Sequence, residues 1–284
     1  MEKKYTNKTK EFTTRYAASK SIAAFAQALR QPDRQPRVDG VLLETYLILY
    51  DLLNDDDEEI RDIAASTASH ILSYSSVSPD RAVTLSPLNA SELFATFLAD
   101  NYVDSRALST RAVRYILGQE PRISNANSER SLPTVSTTVA ELRKERTVLF
   151  EEEKQNLFIE EVREVDVWSV VLMRLNKDAF AEGLLSETFT WVSEGLACFS
   201  EILGRQDGED GMIGWIAKAE AYTLGVQLIS LAGVLVSREF KALNMLGGRR
   251  AVLREQLQTL LECGKKALLH DDLVSRIQSA LEAS

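Results

Sequence analysis

Residues 42–72 read LLETYLILYDLLNDDDEEIRDIAASTASHIL. The stretch divides into an apolar half, Leu42 to Leu53, an acidic centre, and a second half in which Ile60, Ile63, Ala64, Thr67, Ala68, Ile71 and Leu72 recur at i, i+3, i+4, i+7, i+8, i+11 and i+12. That spacing is one buried stripe of an α-helix. Asp55, Asp56 and Asp57 stand where this second helix must start. Carboxylates there accept from the unpaired first N–H groups and oppose the positive end of the helix dipole. The reading is two amphipathic helices joined by an acidic turn.

An apolar helix, an aspartate turn, then Ile60-Arg61 and Ala64-Ala65 is the pattern of a HEAT-type helical hairpin. The rest of the chain extends it. Lys10 to Leu29 carries Phe12, Tyr16, Ile22, Phe25, Ala26 and Leu29 at helical spacing, and the prolines of RQPDRQPR, residues 30–37, end it. After a loop at Val77 to Leu88, a shorter pair is expected: Ser91 to Ala99 with Ser91 as N-cap, and Ser105 to Leu117 closed by Gly118. Gln119 to Thr138 is rich in Ser, Asn, Thr and Pro and poor in large apolar residues, which reads as a disordered loop or insertion. It divides the chain into HEAT-like repeats over 1–118 and further helical repeats or a bundle over 139–284. Beyond Pro133 no proline occurs. Helices are expected at Val139 to Glu153, Leu157 to Leu175, Asp178 to Leu203, Met212 to Arg238, Arg249 to Leu269 and Asp271 to Ala283. Gly204 to Gly211 and Gly247-Gly248 are stops. No stretch alternates as a strand does. The fold class is all-α, an irregular α-solenoid of HEAT/armadillo-like hairpins.

With a net charge of −9 and a pI near 5.0, the 284-residue chain is a poor binder of nucleic acid through bulk charge, although a local basic patch is compatible with this. Cys198 and Cys263 lie in separate apolar helices, and the two histidines, His70 and His270, are far apart in sequence. Neither a disulfide framework nor a zinc site is expected, and a reduced cytosolic or nuclear setting fits, with the cytoplasm the expected compartment. The N-terminal MEKKYTNKTKEF lacks the apolar core of a secretory signal. Ala221 to Ser237 is uncharged, but it falls short of the ~20 apolar residues a spanning helix needs and contains Thr223, Gln227 and Ser230. It reads as a buried core helix.

Several constellations invite chemistry. Asp55-Asp56-Asp57-Glu58-Glu59 holds a DDxxE arrangement, the magnesium-binding motif of all-α prenyl-diphosphate enzymes. A second acidic motif is missing, so a solvated helix start is the better reading. Glu160 and Glu164 face the same side of a helix, as do Glu161 and Glu164, and Arg163 stands at i,i+3 from Glu160, so the group reads as a solvated face with ion pairs. The glycines at 204, 208, 211 and 214 follow no strand and are not spaced as a nucleotide loop. Trp168 and Trp191 fall on apolar stripes and are assigned to the core. Arg61 is expected to pair with the aspartate of a neighbouring repeat. Arg61, Arg143, Lys144, Arg146 and Arg163 are the candidates for a repeat ladder or for contact with a partner or RNA.

Two stretches carry a family resemblance: LYDLLNDDDEEIRDIAA, Leu49 to Ala65, and ERTVLFEEEKQNLFIEEVREVDVW, Glu145 to Trp168. Both resemble the C-terminal region of THADA-like proteins, which are long HEAT/armadillo-type solenoids. The second pattern rests on Leu149, Phe150, Glu151, Glu153, Asn156, Leu157, Phe158, Ile159, Glu161, Val162, Arg163, Glu164 and Trp168. The resemblance implies a non-catalytic scaffold subunit of an FtsJ-type tRNA ribose methyltransferase, which methylates the 2′-hydroxyl at position 32 of the anticodon loop. It implies no catalytic residue, cofactor or metal in this chain, and contact with tRNA through the complex. A HEAT-type adaptor unrelated to RNA is the alternative, and a magnesium-dependent prenyl-diphosphate enzyme a more distant one. Because family members are longer, the chain covers only their C-terminal end, and a solenoid cut there is expected to self-associate through its exposed first repeat.

Overall fold

The computed structural model describes residues 11–29, 40–73, 86–117, 152–204, 219–266 and 269–284. Every regular element among them is helical. The chain forms two compact units, Met1–Val103 and Asp104–Ser284.

In the first unit lie α1 (Phe12–Leu29), α2 (Gly40–Leu53), α3 (Glu58–Ser73) and α4 (Pro87–Asn101). Each helix packs against the next and the next but one: α1 on α2 and α3, α2 on α3 and α4, α3 on α4. This is the two-layer stacking of a helical solenoid, with odd helices in one layer and even helices in the other. The opening hairpin forms as its pattern requires. In α2, Tyr46 to Tyr50, Leu52 and Leu53 are all buried, because helices cover it on both sides. In α3 the buried residues are Ile60, Ala64, Ala65, Thr67, Ala68 and Ile71, while Ile63 and Leu72 sit at the margin of the stripe. Tyr46, Phe94 and Phe97 form a ring cluster with centroids 5.6–5.8 Å apart, tying α2 to α4.

Two expectations here are corrected. Helix α4 starts at Pro87, not after Ser91. Ser86 caps it, its Oγ accepting from Asn89 N at 3.4 Å, and Pro87 takes the first-turn position where no N–H is needed. Ser91 is buried inside the helix. In α1 the buried face is Arg15, Ala18, Ser19, Ile22 and Ala23, whereas Phe12 and Phe25 are exposed. A buried arginine displaces the aromatic stripe that periodicity alone selected.

The second unit holds α5 (Arg106–Ile116), α6 (Glu152–Arg174), α7 (Glu182–Gly204), α8 (Ala219–Val236), α9 (Arg249–Lys266) and α10 (Asp271–Glu282). Short 3-10 turns lie at Lys177–Ala179 and Leu243–Leu246, so the helix expected from Asp178 starts at Glu182. Helices α6, α8 and α10 pack in one row and α7 and α9 in another, with α8 touching both. Having α6, α7, α9 and α10 around it explains why α8 carries no charge from Ala221 onward: an unpaired charge there would be desolvated on nearly every side. Close approach depends on small residues. A Cβ on Gly195 would collide with the Leu228 side chain of α8, and one on Gly233 would stand 3.3 Å from Ala280 Cβ of α10. The 119–138 segment lies outside the described residues, and the unit starts at Asp104 and so takes in α5. The reason is packing: Tyr115 stacks on Trp168 at 4.5 Å, and Ser109 Oγ donates to Ala179 O at 2.6 Å. Trp168 and Trp191 are both buried.

Candidate interaction surfaces

The acidic turn of the first unit is a closed arginine–aspartate cluster. Arg15, reaching across from α1, donates Nη1 to Asp55 Oδ1 and Nη2 to Asp57 Oδ2. Asp55 Oδ1 also accepts from Asp57 N at 3.0 Å, closing the turn. Arg61 folds back on its own hairpin, donating Nη1 to Asp55 O at 2.7 Å and to Asp56 O at 2.9 Å. Asp55 is buried, and Arg15 with it. Burial lowers the Arg15 pKa, but the hydrogen bonds and charges of Asp55 and Asp57 outweigh it and hold the guanidinium above its ordinary value. The arginine that reaches a neighbour's aspartates is therefore Arg15, whereas Arg61 braces the turn from within. Asp55, the first carboxylate of the DDxxE arrangement, is thus committed to Arg15. Among the described residues no group of His, Cys, Asp and Glu is able to hold a metal ion.

In the second unit a groove of about 850 Å³ runs over α8. Its floor includes Ser230, Gly233 and Val234, and its walls include Val170 and Met173 of α6 and Ser279 of α10. Small residues on α8 recess that helix between its neighbours. Beside the groove lies a second arginine bridge. Arg276 of α10 grips Asp166 of α6 through Nη1 at 2.5 Å and Nη2 at 2.9 Å, and its Nε donates to Asp272 Oδ2 at 2.7 Å. Tyr222 of α8 donates its hydroxyl to the same Asp272 oxygen at 2.7 Å, and its ring lies 5.1 Å from that of His270. Side chains of three adjacent helices, α6, α8 and α10, are thereby tied together.

The electrostatics follow. Burial alone would raise the Asp272 pKa, yet hydrogen bonds from Tyr222 and Arg276 hold it below the ordinary value. The Tyr222 hydroxyl is pushed up to about 12, first by burial and then by its bond to Asp272. Arg276 is raised, chiefly by its bond to Asp166. The network holds helices together.

Of the residues singled out from the sequence, Arg163 lies half-buried on α6 and is already engaged within the chain. Arg143, Lys144 and Arg146 lie outside the described residues. Arg15, Asp166, Tyr222, Asp272 and Arg276 were missed. Only Arg15 left a trace, as the cation at i, i+3, i+4 and i+7 from Ala18, Ser19 and Ile22. No helix among the described residues is long and apolar enough to cross a membrane.

Neither curated proteins nor solved structures gave a match to the chain. A family model did: Trm732_C, described as the Trm72 ARM-like repeat region, matches residues 96–284. The match takes in every described helix of the second unit, and ARM-like repeats are the same class of stacked helical hairpins seen there. The chain belongs to the Trm732_C family, the ARM-like C-terminal region of Trm732/THADA-like proteins connected with tRNA modification.

Proposed function

We propose that the chain is part of the non-catalytic scaffold subunit of a tRNA ribose-methylating complex, in which an FtsJ-type methyltransferase transfers a methyl group to the 2′-hydroxyl at anticodon-loop position 32. The observation that carries this is the family match across residues 96–284. The helical stacking supports it: rows of packed helices present long side-chain faces to other macromolecules. The methyltransferase supplies the methyl donor site and the reacting groups. The scaffold lowers the barrier by orientation, since holding two reactants in one geometry removes much of the entropic demand of their encounter.

The test is co-purification and reconstitution with the full-length gene product. The methyltransferase is expected to co-purify, and position 32 is expected to lose its 2′-O-methyl group when the gene is deleted. Unchanged methylation at that position in the deletion strain sinks the proposal. Methyl transfer by the scaffold without its partner would refute the non-catalytic part of it.

A further inference from the structure

One edge of the second unit concentrates positive charge. The α6–α7 and α8–α9 connections lie side by side there, joined by the rings of Phe180 and Phe240, 5.0 Å apart and edge to face. Residues 174–182 and 237–250 together carry six cations and three carboxylates, a net +3 in a chain of net −9. Three of these arginines are braced, two of them by neutral groups. Arg238 donates Nε to Ser284 O at 2.7 Å, and Arg250 donates Nε to Val236 O at 2.9 Å. Arg249 donates Nη1 to Ser186 Oγ at 3.2 Å and lies 5.5 Å above the Phe189 ring. Bracing through Nε leaves both Nη groups of Arg238 and Arg250 for a ligand, already oriented. Lys177 and Lys241 are exposed. Among the described residues Lys177, Lys241, Arg249 and Arg250 are not ion-paired. The carboxylates of Asp178, Glu182 and Glu239 are interleaved with them and temper the field. A hollow of about 480 Å³ opens beside Arg249, between the start of α7 and the Gly247 turn. At that turn φ is +53° and a Cβ would meet nothing within 4 Å, so the backbone itself is open to close approach.

We infer that this edge contacts the phosphate backbone of the RNA substrate; the inference rests on the reading that the chain serves a tRNA-modifying complex. Arginine forks match phosphate oxygens in pairs, and lysines add point charges. The cations follow two adjacent connections instead of converging on one cavity, which suits a chain of phosphates better than a single small anion. It also gives an acidic chain a means of meeting RNA locally, because screening confines the repulsion of distant carboxylates to about 8–10 Å at physiological salt.

The test uses the full-length protein, alone and with the methyltransferase, and a fluorescein-labelled unmodified tRNA transcript read by anisotropy over a salt series. Lys177→Gln with Lys241→Gln changes two exposed side chains that hold nothing in place. At about 0.1 M salt the pair is expected to weaken binding roughly tenfold, and to make the log–log salt slope shallower by about 1–2. Lys265→Gln, at the opposite end of α9, is the control expected to bind as wild type. Arg238→Lys keeps charge but loses the fork, and is expected to fall between the two. The inference is overturned if the double variant binds tRNA with unchanged affinity and slope. It is equally overturned if wild type binds no tRNA in either form, or if the variant loses the methyltransferase while keeping tRNA. When methylation still depends on the full-length protein but the edge variants bind normally, only this assignment falls. When methylation does not depend on the protein, the reading beneath it falls.

Discussion

Each unit contains an arginine gripping two aspartates, and the two bridges differ in what surrounds them. In the first, the Arg15 and Asp55 side chains are 9% and 2% exposed. In the second, Arg276 and Asp166 are 23% and 47% exposed. The chemistry is the same, yet the consequences of breaking it are not. Removing one partner from a desolvated pair strands a charge that water cannot reach. Removing one partner from a half-exposed pair leaves a charge that water re-solvates. The comparison separates an arginine that the fold depends on from one that fastens a surface.

The largest expected effect is at Arg15. Arg15→Ala should lower the unfolding free energy by about 3–5 kcal/mol, because Asp55 is left buried and unpaired. Chemical denaturation of the full chain measures it, and a loss below about 1 kcal/mol would erase the distinction between the bridges. Pairing Arg15→Met with Asp55→Asn sharpens the point. With no charge left to desolvate, and with the asparagine oxygen still able to accept from Asp57 N, the double variant should recover more than half of that loss. Equal instability of single and double variants would mean that packing, not charge, is what Arg15 supplies.

Arg276→Ala should cost about 1–2 kcal/mol, since a bidentate but half-exposed bridge is lost and both aspartates remain wet. Next comes Arg61→Ala, at about 1 kcal/mol for two hydrogen bonds to turn carbonyls. Binding of partner and RNA should be unchanged in that variant, because Arg61 is turned inward onto its own hairpin. Retained stability with lost partner binding would reverse this.

The finest prediction concerns pH. The folded-state pKa of Asp272 is depressed, so its stabilisation is complete above the unfolded value near 3.9 and is lost as pH falls through the folded value. Tyr222 is shifted the other way. Its stabilisation is complete below about 10 and is lost as pH rises towards about 12. Tyr222→Phe should therefore flatten the alkaline limb of a stability–pH curve, and Arg276→Met the acid limb. Limbs that keep their wild-type shape in these variants would show that the network does not govern either.

Much of the architecture is present in the residue pattern. The stripe from Ile60 to Ile71 specifies its helix and buried face, and the uncharged run after Ala221 specifies a helix enclosed on all sides, because the 3.6-residue period and the penalty for burying charge act within one segment. The LF-E-x-E-x-x-NLFI motif, Leu149 to Ile159, reached the family for the same reason: it is a property of contiguous residues. What needed the tertiary structure was every contact between segments. Arg15 and Asp55 are 40 residues apart and Arg276 and Asp166 are 110 apart. No local spacing distinguishes Arg15 from Arg61 as the partner of Asp55. That choice is made by which face of α1 packs against the turn, and by the fact that a buried carboxylate must take whichever cation the packing delivers. The basic edge is of the same kind, since the α6–α7 and α8–α9 connections come together only where Phe180 meets Phe240.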